Sequence, residues 1–186
     1  MKKLYAVFSL LILFSATGHA RGPGFGVGFS VGVDLPAIQQ DKSKGSVFGF
    51  KARFEIIPTI VFEPNISFSN YGSPEFDEFE NDIEGSKMTA YGLDVTLGNS
   101  IGAMGFKPYM VAGIAMYNHS NESTGDVYDT GGARVGWSAG LGIGLGLSPR
   151  FDLDARGKIN VATSEGGGSK KSLALTGGLN YYFGGN

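Results

Sequence analysis

From Phe25 to Leu35, large apolar residues occupy every second position: Phe25, Val27, Phe29, Val31, Val33 and Leu35. Gly26, Gly28, Ser30, Gly32 and Asp34 fall between them. A period of two is that of a β-strand, whose side chains point alternately to its two faces. Seven later segments follow the same rule. Phe48, Phe50, Ala52, Phe54 and Ile56 oppose Gly49, Lys51, Arg53 and Glu55. Ile60, Phe62, Ile66 and Phe68 oppose Glu63, Asn65 and Ser67, with Pro64 on the apolar side. Tyr91, Leu93, Val95 and Leu97 oppose Gly92, Asp94 and Thr96. Met110, Ala112, Ile114 and Met116 oppose Tyr109, Val111, Gly113 and Ala115. The sixth segment sets Val135, Trp137, Ala139, Leu141, Ile143 and Leu145 against Gly and Ser. The seventh sets Phe151, Leu153, Ala155, Ile159 and Val161 against Asp152, Asp154, Arg156, Lys158 and Asn160. The last sets Leu173, Leu175, Gly177, Leu179, Tyr181 and Phe183 against Ala174, Thr176, Gly178, Asn180 and Tyr182.

The connections divide into short and long. Ile57-Pro58-Thr59 and Ser148-Pro149-Arg150 are tight turns, and 98–105 is intermediate. Residues 35–45, 69–87, 118–132 and 163–171 are longer and polar. Short turns on one side and long loops on the other predict an antiparallel up-and-down barrel, with the short turns periplasmic. Eight strands return the chain to its starting side.

The direction of the apolar face decides between a soluble barrel and a transmembrane one. The polar face carries glycine, small polar residues and charge, which cannot fill a core at protein density. The apolar face would form a very large exposed patch in water. The pattern therefore predicts an all-β, eight-stranded antiparallel up-and-down transmembrane β-barrel. Aromatic girdles are expected at both interfaces. Phe25, Phe54, Phe106, Phe151 and Phe183 belong to the periplasmic rim, and Phe48, Phe68, Tyr71 and Tyr117 to the outer one. Inward glycines such as Gly140 are expected to tolerate a small side chain far better than Leu141 tolerates a charge.

The first twenty residues read as a secretory signal peptide. Lys2 and Lys3 precede an apolar run from Leu4 to Phe14, and Gly18-His19-Ala20 supplies small residues before a cleavage site. That run is too short to span a bilayer as a helix. The barrel domain is expected over 21–186. Removing the leader leaves 13 basic and 17 acidic side chains, a net charge of −4. A surface of that sign argues against nucleic acid. There is no cysteine, hence no disulfide and no thiolate metal site.

The last segment resembles the closing strand of bacterial outer-membrane β-barrels. In that family a Gly, alternate apolar residues and a terminal aromatic form the signal read by the barrel-assembly machinery, and Gly177, Leu179, Tyr181 and Phe183 match it. The family usually stops at the aromatic, whereas Gly184-Gly185-Asn186 follow here. The whole chain resembles the small eight-stranded outer-membrane proteins: the barrel domain of outer membrane protein A, the outer membrane protein X group and the opacity proteins, a porin-family β-barrel. The likeness is carried by the eight strands, by Gly136-Trp137-Ser138-Ala139-Gly140-Leu141-Gly142 with Leu147-Ser148-Pro149-Arg150 after it, and by Lys107-Pro108-Tyr109 opening the fifth strand. The resemblance implies a monomer in the outer membrane of a Gram-negative bacterium. Its expected partners are outer-membrane lipid, lipopolysaccharide and, during biogenesis, the assembly machinery.

Three features carry candidate chemistry. Lys51, Arg53, Glu55, Glu63, Asp94, Arg134, Asp152, Asp154, Arg156 and Lys158 all fall on the inward face. An eight-stranded interior is just wide enough for side chains, and charges in it must pair. They are expected to form a structural ionic plug rather than a channel. The acidic stretch 75–84 has no EF-hand spacing and reads as a solvated loop. Asn118-His119-Ser120-Asn121-Glu122 resembles the His, Ser and Glu of the lipid A deacylases, in which one residue separates His from Ser. Here they are adjacent and point apart in an extended strand, so no lipid A-modifying enzyme is expected. No cofactor is expected either. The leading expectation is a non-conducting envelope protein with surface-exposed loops; the alternative is an adhesin that acts through those loops.

Overall fold

The computed structural model describes residues 24–37, 44–57, 59–71, 86–121, 133–163 and 169–183. These residues form eight strands: β1 (Phe25–Ala37), β2 (Gly45–Ile57), β3 (Ile60–Tyr71), β4 (Ser86–Leu97), β5 (Gly105–Asn121), β6 (Ala133–Ser148), β7 (Phe151–Thr163) and β8 (Ser169–Phe183). Each pairs antiparallel with its sequence neighbours, and β8 pairs with β1 to close the barrel. Closure leaves no strand edge unpaired, the condition for a sheet to stand in lipid.

The period-two pattern becomes an outside and an inside. On β6 Leu141 is 65% exposed and Ser138 is 3% exposed. The outward rows of β1, β5 and β6 are apolar and exposed throughout their middle sections. Every acidic side chain among the described residues lies on the inward face: Asp34, Glu55, Glu63, Asp94, Asp152 and Asp154.

The strands run further than the apolar pattern does, mostly at their outer ends. β5 continues to Asn121, β4 begins at Ser86 and β8 at Ser169. Backbone hydrogen bonding does not need an apolar face, so the ladders continue past the bilayer, where Lys87, Asn118 and Lys171 are exposed. At the other end the turns are tight. Register shifts sit beside both, between Glu55 and Ile57 and between Gly146 and Ser148. Pro64 lies within β3, outward and exposed. There β2–β3 pairing passes from Lys51–Asn65 to Phe54–Phe62. A proline has no N–H to give to a ladder.

Aromatic rings form the periplasmic girdle around the closing seam. Phe25 stacks on Phe183 at 5.2 Å and packs on Phe54 at 5.0 Å. Tyr181 joins Phe183 and Phe151, each at 5.0 Å. Phe48 and Phe68 face outward near the outer rim. Tyr71 and Tyr117 do not join them. They are 7% and 3% exposed and point into the lumen. Each stands at the height of the outer rim but on the inward parity of its strand.

The connection from β4 to β5 folds into the barrel mouth. Gly98 has φ 105°, the left-handed region that favours glycine. Its N–H donates to the Thr59 carbonyl at 2.8 Å. Asn99 and Ile101 follow it inside and are buried. Ile101 packs with Val61 and Tyr182 in an inner apolar cluster. A second cluster, Tyr71, Met88, Ala90, Tyr117 and Ala162, lies toward the outer end. The charged side chains are layered between the two.

Candidate functional site

Alternation places Asp152, Asp154, Arg156 and Lys158 one above another on β7, rising from the periplasmic end. Each rung meets strands across the lumen. At the lowest rung Arg53 of β2 is 0% exposed. Its Nε donates to Glu63 Oε1 at 2.8 Å, and Nη1 reaches Asp152 Oδ2 at 3.5 Å and the Tyr182 hydroxyl. Its Nη2 reaches the Asn99 carbonyl at 3.4 Å. Asp152 also accepts from Lys107 Nζ at 2.8 Å, from Asn180 Nδ2 at 2.6 Å and from the Tyr182 hydroxyl.

At the middle rungs Lys51 Nζ donates to Asp154 Oδ2 at 2.5 Å, and the Tyr109 hydroxyl donates to Asp154 Oδ1. Arg156 donates from Nη2 to Glu63 Oε2 at 2.6 Å and from Nε to the Tyr109 hydroxyl at 3.0 Å. Its Nη1 reaches Asp94 Oδ2 at 3.4 Å, where Lys158 Nζ also donates at 2.9 Å. Both arginines lie over aromatic rings, Arg53 at 5.5 Å from Tyr182 and Arg156 at 5.4 Å from Tyr109. Glu63 takes one arginine on each oxygen, so the lower and middle rungs form one continuous network.

The glycines of the inward face make this crossing possible. A Cβ on Gly142 would meet the Tyr109 ring at 2.2 Å, and one on Gly28 would lie 3.1 Å from Lys51 Cε. Other inward glycines serve the backbone instead. A Cβ on Gly140 would meet the Gly157 carbonyl oxygen at 2.1 Å. The expectation that Gly140 tolerates a small side chain is therefore corrected: the neighbouring strand, not the lumen, occupies that space.

Eight of the ten charges that the pattern put inside are drawn into this network. Glu55 and Arg134 are placed elsewhere. Glu55 lies at the periplasmic end of β2, where the register shifts, against the backbone of Ile101 and Thr59. Arg134 is the second residue of β6, opposite Tyr117 at the outer end. Two charges were missed. Lys107 shares inward parity with Tyr109 and Val111, and Asp34 lies on the polar side of β1. With Lys107 and Asp34 included, the buried lumen still balances five acids against five bases. The tyrosines Tyr109 and Tyr182 were also missed as members, though parity puts both inside.

Gly177, Leu179, Tyr181 and Phe183 lie on the outward face of β8 beside β1, in register with Val31, Phe29, Val27 and Phe25. The acidic stretch 75–84 and the expected signal peptide 1–20 lie outside the described residues. His119 and Ser120 pair with Met88 and Lys87 on β4. Among the described residues no group of three His, Cys, Asp or Glu side chains could hold a metal ion.

A closed eight-stranded antiparallel barrel, apolar outside and ionic within, defines an integral outer-membrane β-barrel protein. Residues 6–183 match the family model of the outer membrane protein beta-barrel domain, and the chain belongs to that family. Its place is the bacterial outer membrane. Among solved structures it is similar to Neisserial surface protein A (NspA), with 18% identity, a TM-score of 0.66, and 86% of this chain and 97% of that one covered. It is similar also to the N-terminal beta-barrel domain of Pseudomonas aeruginosa OprF, at 16% identity and a TM-score of 0.54, covering 87% of this chain and 100% of that one. At such identities the likeness is one of fold. No curated protein matches the sequence.

Proposed function

We propose that this protein is a monomeric, non-conducting structural barrel of the envelope, without enzymatic activity, that presents its longer loops outside. The observation that carries the reading is Arg53, which is fully buried and bonded at once to β3, β7, β8 and the backbone of the β4–β5 connection. Above it Arg156 spans from β7 to β3 and β4. Below it Asn99 and Ile101 occupy the mouth. The cavity above the network measures about 70 Å³. Closure of every strand edge supports a monomer. His119 and Ser120 are adjacent in the sequence rather than spaced by one residue, which speaks against a nucleophile with its base.

Outer-membrane lipid and lipopolysaccharide are the partners proposed for the outward surface. Its apolar rows suit acyl chains, and Lys44, Lys87 and Lys171, exposed at outer strand ends, suit anionic headgroups. The outward face of β8 is proposed as the strand the assembly machinery reads.

Planar-bilayer recording tests the closed lumen. Purified protein should give no steady conductance. Stable, long-lived channels whose ion selectivity changes in Arg156→Gln would overturn it.

A further inference from the structure

Residues 98–104, which join β4 to β5, lie in the periplasmic mouth of the barrel instead of turning away from it. Gly98 and Gly105 stand at the two ends of the segment, with φ of 105° and 84°. Glycine enters that left-handed region without steric cost. Between them Ile101 packs with Val61 of β3 and Tyr182 of β8. On the β6 side a Cβ on Gly146 would meet the Ala103 carbonyl oxygen at 2.1 Å, so glycine leaves the segment its seat.

The bonds that hold the segment come from the β2–β3 hairpin and from the lowest rung of the network. The Thr59 N–H donates to Ser100 Oγ at 3.1 Å, and the Glu55 carboxylate accepts from the Ile101 N–H. Lys107 Nζ donates to the Ser100 carbonyl at 3.2 Å, and Arg53 Nη2 reaches the Asn99 carbonyl at 3.4 Å, long for a hydrogen bond. One side chain opposes this hold. The Asn99 amide is fully buried, yet neither its Oδ1 nor its Nδ2 has a hydrogen-bond partner among the described residues. A polar group kept from water without a partner disfavours the state that buries it.

We infer that residues 98–104 are a periplasmic lid, which swings out of the mouth about Gly98 and Gly105 while the strands stay paired. Ile101 holds the lid shut through its buried apolar side chain. Asn99 biases it toward release, because water satisfies both atoms of its amide once it is outside. Opening makes no pore, since Arg156 and Glu63 still meet across the middle of the lumen at 2.6 Å. What opening changes is the lowest rung: Arg53, Lys107 and Asp152, buried beneath the lid, become a charged surface open to periplasmic water.

The chain has no cysteine, so a single introduced one reports without background. Val61→Cys stands behind Ile101, and Ala90→Cys in the outer cluster is the control. The full-length mature protein in lipid nanodiscs is treated with a small water-soluble thiosulfonate. Val61→Cys should be modified slowly but to completion. Adding Ile101→Ser should speed the modification about ten- to a hundredfold, the factor to which burial of one isoleucine side chain corresponds. Adding Asn99→Leu should slow it, and Ala90→Cys should respond to neither change. Amide exchange of the unsubstituted protein supplies a second measurement if Val61→Cys does not fold. The Thr59 and Ile101 N–H groups, bonded across the lid, should exchange several-fold faster than the Tyr182 N–H, which donates to the Arg150 carbonyl at 2.8 Å at the same end of the barrel. An inert Val61→Cys, rates unchanged by the lid substitutions, equal acceleration of Ala90→Cys, or Thr59 and Ile101 amides no faster than that of Tyr182 would each overturn the lid.

Discussion

Arg156 on β7 and Glu63 on β3 meet at 2.6 Å across the middle of the lumen. Three strands lie between them on either path around the eight-stranded ring, so the pair spans the barrel's diameter. Both side chains are buried, at 8% and 0% exposure. Removing one member strands the other in an interior with little water. Glu63→Gln or Arg156→Gln should each cost about 3–5 kcal/mol. Replacing both by apolar residues of similar size should cost less than the sum of the two. A double-mutant cycle by urea titration in lipid vesicles measures the difference. Strictly additive losses would mean that the pair is not coupled.

Two glycines give opposite expectations. Gly142 faces inward, with Tyr109 where its Cβ would be, and Gly177 faces lipid with its nearest neighbour at 4.0 Å. Gly142→Ala should destabilise by about 1–3 kcal/mol through overpacking. Gly177→Ala should be neutral or slightly stabilising, because a strand-interior glycine gains from a side chain. The same titration compares them, and tyrosine fluorescence reports whether Tyr109 moves.

Depth along β6 sets the cost of a charge on the lipid face. Leu141→Arg, mid-strand, should lose about 2–4 kcal/mol, whereas Val135→Arg near the outer end should lose about 0–1 kcal/mol. Equal losses would place the bilayer elsewhere on the barrel than the aromatic girdles do.

Phe183 closes the seam by stacking on Phe25. Phe183→Ala should lower the yield of folded, heat-modifiable barrel in cells more than it lowers spontaneous refolding into micelles. Equal losses in the two settings would assign Phe183 to stability alone.

The fold was legible because one physical rule, alternation, governs every strand, and because lipid makes the outward rows uniformly apolar. Strand ends were less legible, since ladders extend wherever two backbones remain adjacent; β5 runs to Asn121 for that reason. Parity alone put Lys51, Arg53, Glu63 and the β7 charges inside. It could not say which acid meets which base, because that depends on how far each strand is staggered around the ring. Glu55 shares the parity of Arg53 yet sits below the network, at the register shift. Tyr71 and Tyr117 were assigned to a girdle by height, although their parity already pointed inward. The inward fold of residues 98–104 carries no periodicity, so nothing in the pattern announced that Asn99 and Ile101 would be buried.

Phe25 and Phe183 are also direct cross-strand partners. The two ends of the barrel therefore lie roughly 5 Å apart in the backbone. A few added residues could join them, and the chain could be opened instead between β5 and β6, as a circular permutant of the same ring. In that permutant β5 becomes the last strand synthesised, while β8 keeps its position, its neighbours and its aromatic stack. The permutant would thus separate two roles that the natural order fuses in one strand: being last, and completing the seam.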